Sequence, residues 1–369
     1  NIWCQILRKK AVIRNLSVCP ENTICTGRTT AAAYTAGWKM KENVQQEKQT
    51  AVCNKPEEIR MEEKYMLRAI ELAKKGIGAV NPNPLVGAVI VKDGRIIGEG
   101  YHTAYGKLHA EREAFAHLTE DAAGADLYVT LEPCCHQGKQ PPCTQAVIEH
   151  GIRRVFVGSD DPNELVAGKG IRILREAGIE VHTQVLKEAC DALNPVFFHY
   201  ITTKTPYVVM KYAMTLDGKT ACHTGESRWV TGEKARERVQ KTRHALKGIM
   251  AGVQTVLQDD PRLTCRLPGG RNPVRIICDS HLRIPLDSQL VQTAGEVSVI
   301  VATLSEDKDR TQALEAKGVQ VLRTKEKDGR IDLQDLMQRL GQQGIDGILL
   351  EGGGTLNESA LRAGIVQHV

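Results

Sequence analysis

His109-Ala110-Glu111, followed by Thr130-Leu131-Glu132-Pro133-Cys134-Cys135-His136-Gln137-Gly138-Lys139-Gln140-Pro141-Pro142-Cys143, decides the reading of this chain. One histidine and two cysteines give a zinc ion three protein ligands and leave a fourth position for water. That opening separates a catalytic zinc from a closed structural one. Zinc lowers the pKa of its bound water, so hydroxide becomes available near neutral pH. Glu111, two residues past the histidine, is placed to carry protons between that hydroxide and a departing amine. HAE alone is weak, because a histidine on an amphipathic helix is more often packed or solvated than ligated. Cysteine pairs also arise by chance in a chain with eleven cysteines. The combination carries the weight. His109 and Glu111 open an apparent helix running to Leu118, Cys134 follows an apolar strand-like run (Asp126 to Leu131), and Cys143 precedes another helix. Cys135 and His136 are rival ligands by residue type.

H-x-E together with P-C-x-x-C marks zinc nucleobase deaminases. Here the interval is longer, since Cys143 lies nine residues beyond Cys134. Composition bounds the rest. A chain of 369 residues, 41% hydrophobic, has the length of about two domains. Nothing approaches the roughly 20 continuous apolar residues that span a bilayer, so no membrane partner is expected. The net charge of +5 sits entirely in residues 1–60, which hold ten Lys/Arg and five Glu; the remainder carries 39 of each sign. No global electrostatic case for nucleic acid survives. The odd cysteine count points to a reducing compartment rather than a disulfide scaffold, and a cytoplasmic location is expected.

Residues 1–60 show no sustained periodicity. They faintly resemble an organellar transit peptide but have little serine and no secretory hydrophobic core. We read them as an unstructured leader, with the working chain starting at Met61. From there Glu62 to Ile77 reads as an amphipathic helix, with Met66, Leu67, Ile70 and Ala73 at helical spacing. Val86 to Val91 and Ile96 to Tyr101 read as a hairpin around Lys92-Asp93-Gly94-Arg95. The His109 helix, a strand at Leu127–Val129, the Cys143 helix, a strand at Val155–Val157 and a helix from Gly170 to Ala177 follow. Such alternation indicates a layered α/β domain. A second series begins at Tyr207, which divides the chain into 61–205 and 206–369. Near the end, Gly347–Glu351 reads as a buried strand, Gly352–Thr355 as a tight loop and Leu356–Ala363 as a helix. A glycine loop feeding a helix N-terminus presents amides to a phosphate, although an ordinary strand-to-helix turn reads the same way. The G-x-G-x-x-G fingerprint is absent.

At this point the residues match a family. Asn83-Pro84-x-Val86-Gly87-Ala88, the two zinc segments, Asp161-Pro162-Asn163 and Val166-Ala167-Gly168-x-Gly170 closely resemble the bifunctional riboflavin-biosynthesis family RibD. So do Lys211-x-Ala213-x-x-Leu216-Asp217-Gly218-Lys219 and Gly225-Glu226-Ser227-x-Trp229 in the second half. The resemblance implies a cytidine-deaminase-like α/β/α sandwich followed by a dihydrofolate-reductase-like α/β domain. By position it implies zinc ligands His109, Cys134 and Cys143, with Glu111 as proton shuttle and Cys135 not a ligand. Asn83, His102, Lys139 and Asp161 match deaminase substrate positions. An amide and a carboxylate suit ring edges, and a lysine and a histidine suit a phosphate. Ala213, Trp229, Thr255, Asp259, Ser280, Gly353 and Gly354 match NADPH positions. Ser227, Arg243, Leu263, Arg266 and Glu351 match reductase substrate positions, the two arginines fitting a ribose phosphate.

The activities implied are hydrolytic deamination of a small phosphoribosyl diaminopyrimidine, then NADPH-dependent reduction of its ribosyl group to ribityl. A homo-oligomer is expected. The chain stops at Val369, where the resemblance implies further strands, so we expect an incomplete reductase sheet with an unpaired edge. Two rival classes are a zinc deaminase acting on another nucleobase or tRNA, and a non-catalytic protein stapled by zinc. Glu111 argues against the staple, which has no use for a proton shuttle.

Overall fold

In the computed structural model, residues 57–369 are described apart from 139, 225, 226 and 228. Most of the leader, and Lys139, therefore lie outside the described residues. The first helix, α1 (Glu57–Lys74), begins earlier than the expected Met61 start. Glu57–Arg60 is a run of good helix formers, which extends the helix backwards. Its buried stripe is Met66, Ala69, Ile70 and Ala73, while Leu67 is 51% exposed. Tyr65 and Leu72 are buried as well, and at about 100° per residue Leu67 falls outside the arc that these six side chains span, beyond Ile70.

The hairpin forms β1 (Gly87–Lys92) and β2 (Arg95–Tyr101), with Lys92 paired to Arg95. Asp93 and Gly94 both have positive φ (50° and 74°), the two-residue turn that Asp-Gly favours. Next come α2 (Ala110–Ala116), β3 (Asp126–Leu131), α3 (Cys143–Glu149), β4 (Arg154–Ser159), α4 (Lys169–Glu176) and β5 (Glu180–His182). The sheet order is β2-β1-β3-β4-β5. β1 is antiparallel to both β2 and β3, whereas β4 and β5 continue parallel to β3.

Each face of this sheet has its own core. One packs Ile90, Leu127, Val129 and Val157 against Ala114, Val147 and Leu174 of α2, α3 and α4. The other packs Val89, Tyr128 and Phe156 against Met66 and Ile70 of α1. This is the expected α/β/α sandwich. α2 lies very close to β2 because of Gly100, where a Cβ would collide with Ala114 N and Ala110 O. The glycine thus sets the height above the sheet of the helix that carries Glu111.

Two helices, α5 (Lys187–Asp191) and α6 (Pro195–Thr203), connect to the second sheet. That sheet opens with β6 (Tyr207–Met210). It continues through α7 (Glu233–Ala245), β7 (Gly248–Gly252), α8 (Val253–Asp259), β8 (Val274–Cys278), α9 (Gln289–Gln292), β9 (Val299–Thr303), α10 (Lys308–Glu315) and β10 (Val319–Arg323). A small hairpin of β11 (Glu326–Lys327) and β12 (Arg330–Ile331) precedes α11 (Leu333–Gln342), β13 (Gly347–Leu350) and α12 (Gly354–Arg362). The order is β10-β9-β8-β7-β13-β6, every pair parallel. Parallel strands covered on both faces read as continuous apolar runs. Ile249–Ala251 and Ile276–Ile277 are accordingly buried, with separate cores on the two faces.

Two expectations change in detail. The glycine loop is shorter than read, because Gly353 is the N-cap and Gly354 already belongs to α12. The β6 edge is not bare: Gln367 N and His368 N donate to Val208 O, and Met210 N donates to His368 O. Among the described residues no helix is long and apolar enough to cross a membrane.

Candidate active sites

The zinc motif converges. His109 caps the start of α2, Cys134 follows β3 through Glu132-Pro133, and Cys143 opens α3. His109 Nδ1 lies 3.4 Å from both Cys134 Sγ and Cys143 Sγ, and the three ligand atoms all fall within 4.8 Å of one another. Tetrahedral bonds of about 2.0–2.3 Å place neighbouring nitrogen and sulfur ligands about 3.5 Å apart, so the donors fit zinc in both type and spacing. Hydrogen bonds from Cys143, side chain and backbone, and from His109 hold the Cys134 thiol down to about 4. Its thiolate and burial push Cys143 well up in turn. The pair thus shares one proton, which a bound zinc would displace. Cys135 points elsewhere, toward Leu165 O at 3.6 Å.

Glu111 is 3% exposed. Burial, reinforced by the Cys134 thiolate, pushes its carboxyl up to about 7. Glu132 is not a ligand: its oxygens accept from Gly168 N, Gly170 N and Ile171 N at 2.9–3.3 Å, capping α4 and fixing the segment before Cys134. Sequence reading missed this anchor, although an acid beside a ligand cysteine was a visible signal.

A cavity of about 310 Å³ adjoins the ligands and is lined by His109, Glu111 and Cys134, with Asn83, His102 and Asp161 around them. His102 has no ring nitrogen to spare. Nδ1 faces Leu108 O at 2.8 Å and Nε2 faces Asn83 Nδ2 at 3.1 Å. A carbonyl only accepts, so Nδ1 carries the proton and Nε2 accepts from the Asn83 amide. Burial lowers the His102 pKa and favours this neutral form. Asn83 therefore keeps Oδ1 as an acceptor. Asp161, pushed up to about 6 by burial, accepts from Asn163 N at 2.8 Å. Phe197, Tyr200 and Ile201 of α6 also line the cavity; no local motif announced them.

In the second half the candidate residues gather at the carboxyl ends of parallel strands, the usual ligand edge of such sheets. Ala213 follows β6, Thr255 lies in α8 after β7, Ser280 follows β8, and Glu351, Gly353 and Gly354 follow β13. A Cβ on Gly353 would lie 3.9 Å from Thr255 Oγ1, so these two loops adjoin. Gly353 and Gly354 are exposed at the start of α12, leaving room for a phosphate at its first-turn amides. Trp229 is 71% exposed, with the Arg236 guanidinium 4.5 Å from its ring centre. Asp259 and Ser227 are exposed, and Leu263 is buried at a φ of 51°.

Arg243 and Glu351 meet. Arg243 Nε and Nη2 donate to the two Glu351 oxygens at 2.9 Å each, and Nη1 donates to Thr264 O at 2.8 Å. All three Arg243 nitrogens are thus engaged within the protein. The Arg266 side chain is exposed, while its backbone N–H is held by Gln240 Oε1 at 2.9 Å.

Comparison with known proteins accounts for both halves. Residues 59–159 match the cytidine and deoxycytidylate deaminase zinc-binding region, and residues 206–369 match the RibD C-terminal domain. The chain is 60% identical to the riboflavin biosynthesis protein RibD of Actinobacillus pleuropneumoniae over 83% of its own length and 81% of the relative's. It resembles the crystal structure of a diaminohydroxyphosphoribosylaminopyrimidine deaminase/5-amino-6-(5-phosphoribosylamino)uracil reductase from Thermotoga maritima, with a TM-score of 0.74 and 43% identity, covering 83% of this chain and 84% of that one. Acinetobacter baumannii RibD gives a TM-score of 0.76 at 39% identity, covering 84% and 85%. The chain belongs to the RibD family, the bifunctional deaminase–reductases of riboflavin biosynthesis.

Proposed function

We propose that residues 61–205 deaminate 2,5-diamino-6-(5-phosphoribosylamino)pyrimidin-4(3H)-one to 5-amino-6-(5-phosphoribosylamino)uracil. Residues from 206 onward then reduce the ribosyl group to ribityl with NADPH. The observation that carries this reading is the convergence of His109, Cys134 and Cys143 beside a buried Glu111 at a cavity of small-molecule size. Held by those three ligands, zinc supplies the Lewis acidity that makes water nucleophilic near neutral pH.

Glu111 takes a proton from the attacking water and returns it to the departing amino nitrogen. Its raised pKa, about 7, suits a group that must both accept and release a proton. Asn83 Oδ1 accepts from a ring N–H, held in that orientation by His102. Asp161 addresses another ring edge, and Lys139 the phosphate. His102 thus serves by orienting Asn83 rather than as a phosphate contact.

In the second half, the start of α12 with Thr255, Ser280, Ala213, Trp229 and Asp259 holds NADPH, which supplies hydride. Ser227, Leu263 and Arg266 bind the substrate. The Arg243–Glu351 pair fixes the segment leading into Gly353 and Gly354. We place the protein in the cytoplasm, where its cysteines, free among the described residues, stay reduced. We read it as a homo-oligomer acting on a small phosphorylated pyrimidine rather than on nucleic acid. Glu111→Gln tests the deaminase half: zinc and substrate binding should persist while turnover falls at least about 100-fold. Near-normal deamination by that variant would remove Glu111 from the mechanism.

A further inference from the structure

The cavity beside His109 is not closed by the sandwich alone. Phe197, Tyr200 and Ile201 line it from α6, which lies after β5 and outside the matched zinc-binding region. This helix is tied to both sheets. At its start Asn194, 3% exposed, accepts from Leu85 N at 2.7 Å and donates to Leu85 O at 2.9 Å. One side chain thus holds both backbone groups of the residue two positions past Asn83. On the other side, Tyr200 Oη donates to Gly341 O of α11 at 3.0 Å. Gly341 has no room for a side chain, since a Cβ would run into the Lys204 carbonyl at the end of α6. The second domain therefore bears on α6 backbone to backbone.

We propose that α6 is the recognition wall of the deaminase site: Phe197 and Ile201 pack on the face of the substrate's pyrimidine, and Asn194 and Tyr200 are positioning residues. Contact with the reductase domain holds that wall in place. This rests on the deaminase reading above. Elsewhere in the cavity Glu111, Asn83 and Asp161 address ring edges, and Pro84, Val86 and Val166 add to the apolar lining that α6 presents. A flat heterocycle also needs an apolar surface for its face, and aromatic and aliphatic side chains supply it. Such contacts do not touch the reacting atoms. They act equally on bound substrate and transition state, so their loss raises KM and spares kcat. A change in α11 should accordingly be felt in the deaminase KM.

The test is deaminase kinetics of the zinc-loaded full chain on the diaminopyrimidine ribose phosphate, with zinc content and melting temperature followed in parallel. Ile201→Ala should raise KM about tenfold with kcat within about twofold, and Ile201→Val should restore most of the affinity. Tyr200→Phe keeps the ring and removes only the hydroxyl; it should raise KM about three- to tenfold. Gly341→Ala, in the reductase domain, should move deaminase KM in the same direction. Unchanged KM in Ile201→Ala and Tyr200→Phe, with wild-type deamination intact, overturns the proposal. A fall in kcat at constant KM overturns it too, because α6 would then merely support the fold. A wild-type chain that does not deaminate this pyrimidine fails the deaminase reading itself, and the wall falls with it.

Discussion

Replacing Arg243 with methionine removes a charge from a buried, two-pronged ion pair while keeping much of the side chain's volume. Both Glu351 oxygens are gripped at 2.9 Å, and the two side chains are only 9% and 13% exposed. At a charge separation of about 4 Å and an effective dielectric of about 20, the attraction is about 4 kcal/mol. Truncating one partner also strands the other charge out of water, and such changes cost about 3–5 kcal/mol. The Thr264 carbonyl loses its donor in the same step. We therefore expect Arg243→Met to destabilise the second domain by about 3–5 kcal/mol, with Glu351→Met close behind. The double variant should cost clearly less than the sum, by about 2–3 kcal/mol, because neither charge is then stranded. Hydrogen exchange of the amides in α7 and β13, followed by mass spectrometry across a urea series, reads these energies locally. A single-variant loss below about 1 kcal/mol, or strict additivity, would refute the account of a buried, mutually dependent pair.

Further expectations follow from the same geometry. Cys134→Ser should lose zinc, while Cys135→Ser should keep it, because Cys135 Sγ faces Leu165 O rather than the other donors; equal zinc loss in both would show a wrong ligand set. Arg266→Ala should raise the reductase KM for the phosphorylated substrate about 10- to 100-fold, the value of a charge-assisted contact, while sparing deamination and NADPH affinity. Weaker NADPH binding with substrate binding intact would reverse the two sides of that site. Burial raises the Asp161 pKa from 3.8 to about 6, so the native state keeps a proton there that the unfolded chain has released. Its contribution is therefore present at low pH and lost as pH rises through that window. Asp161→Asn should flatten this part of the profile of urea midpoint against pH, and a profile matching the wild type would contradict the shift.

What the sequence made legible was local or periodic. Asp93-Gly94 forces its own turn, and β3 reads as a strand because Leu127-Tyr128-Val129 is a run of apolar, strand-favouring residues, which the fold buries throughout. The cluster of His109, Cys134 and Cys143 was legible because a zinc motif restricts residue type and because each sits at the end of an element that pattern alone locates. What stayed hidden was long-range. Arg243 and Glu351 are 108 residues apart and Asn194 and Leu85 are 109 apart, separations at which no periodicity survives. The two candidate arginines, Arg243 and Arg266, read as phosphate ligands by type, yet only the folded chain shows Arg243 paired to a carboxylate. His102 is a similar case, since its residue type suggests a cation whereas burial and the Leu108 carbonyl make it a neutral acceptor for Asn83. Leu67 erred in a smaller way: an apolar residue beside the stripe is not on it.

The most direct test of the central claim is mass analysis of the full-length protein incubated with the diaminopyrimidine ribose phosphate, in four mixtures that include or omit zinc and NADPH. With zinc alone, the product should carry oxygen in place of the ring amino group and keep its ribosyl moiety. With zinc and NADPH, that product should gain hydride and a proton and become the ribityl compound. Without zinc, the pyrimidine should keep its amino group whether or not NADPH is present. Deamination that persists after complete zinc removal, or a substrate left unchanged in the full mixture, would contradict the account.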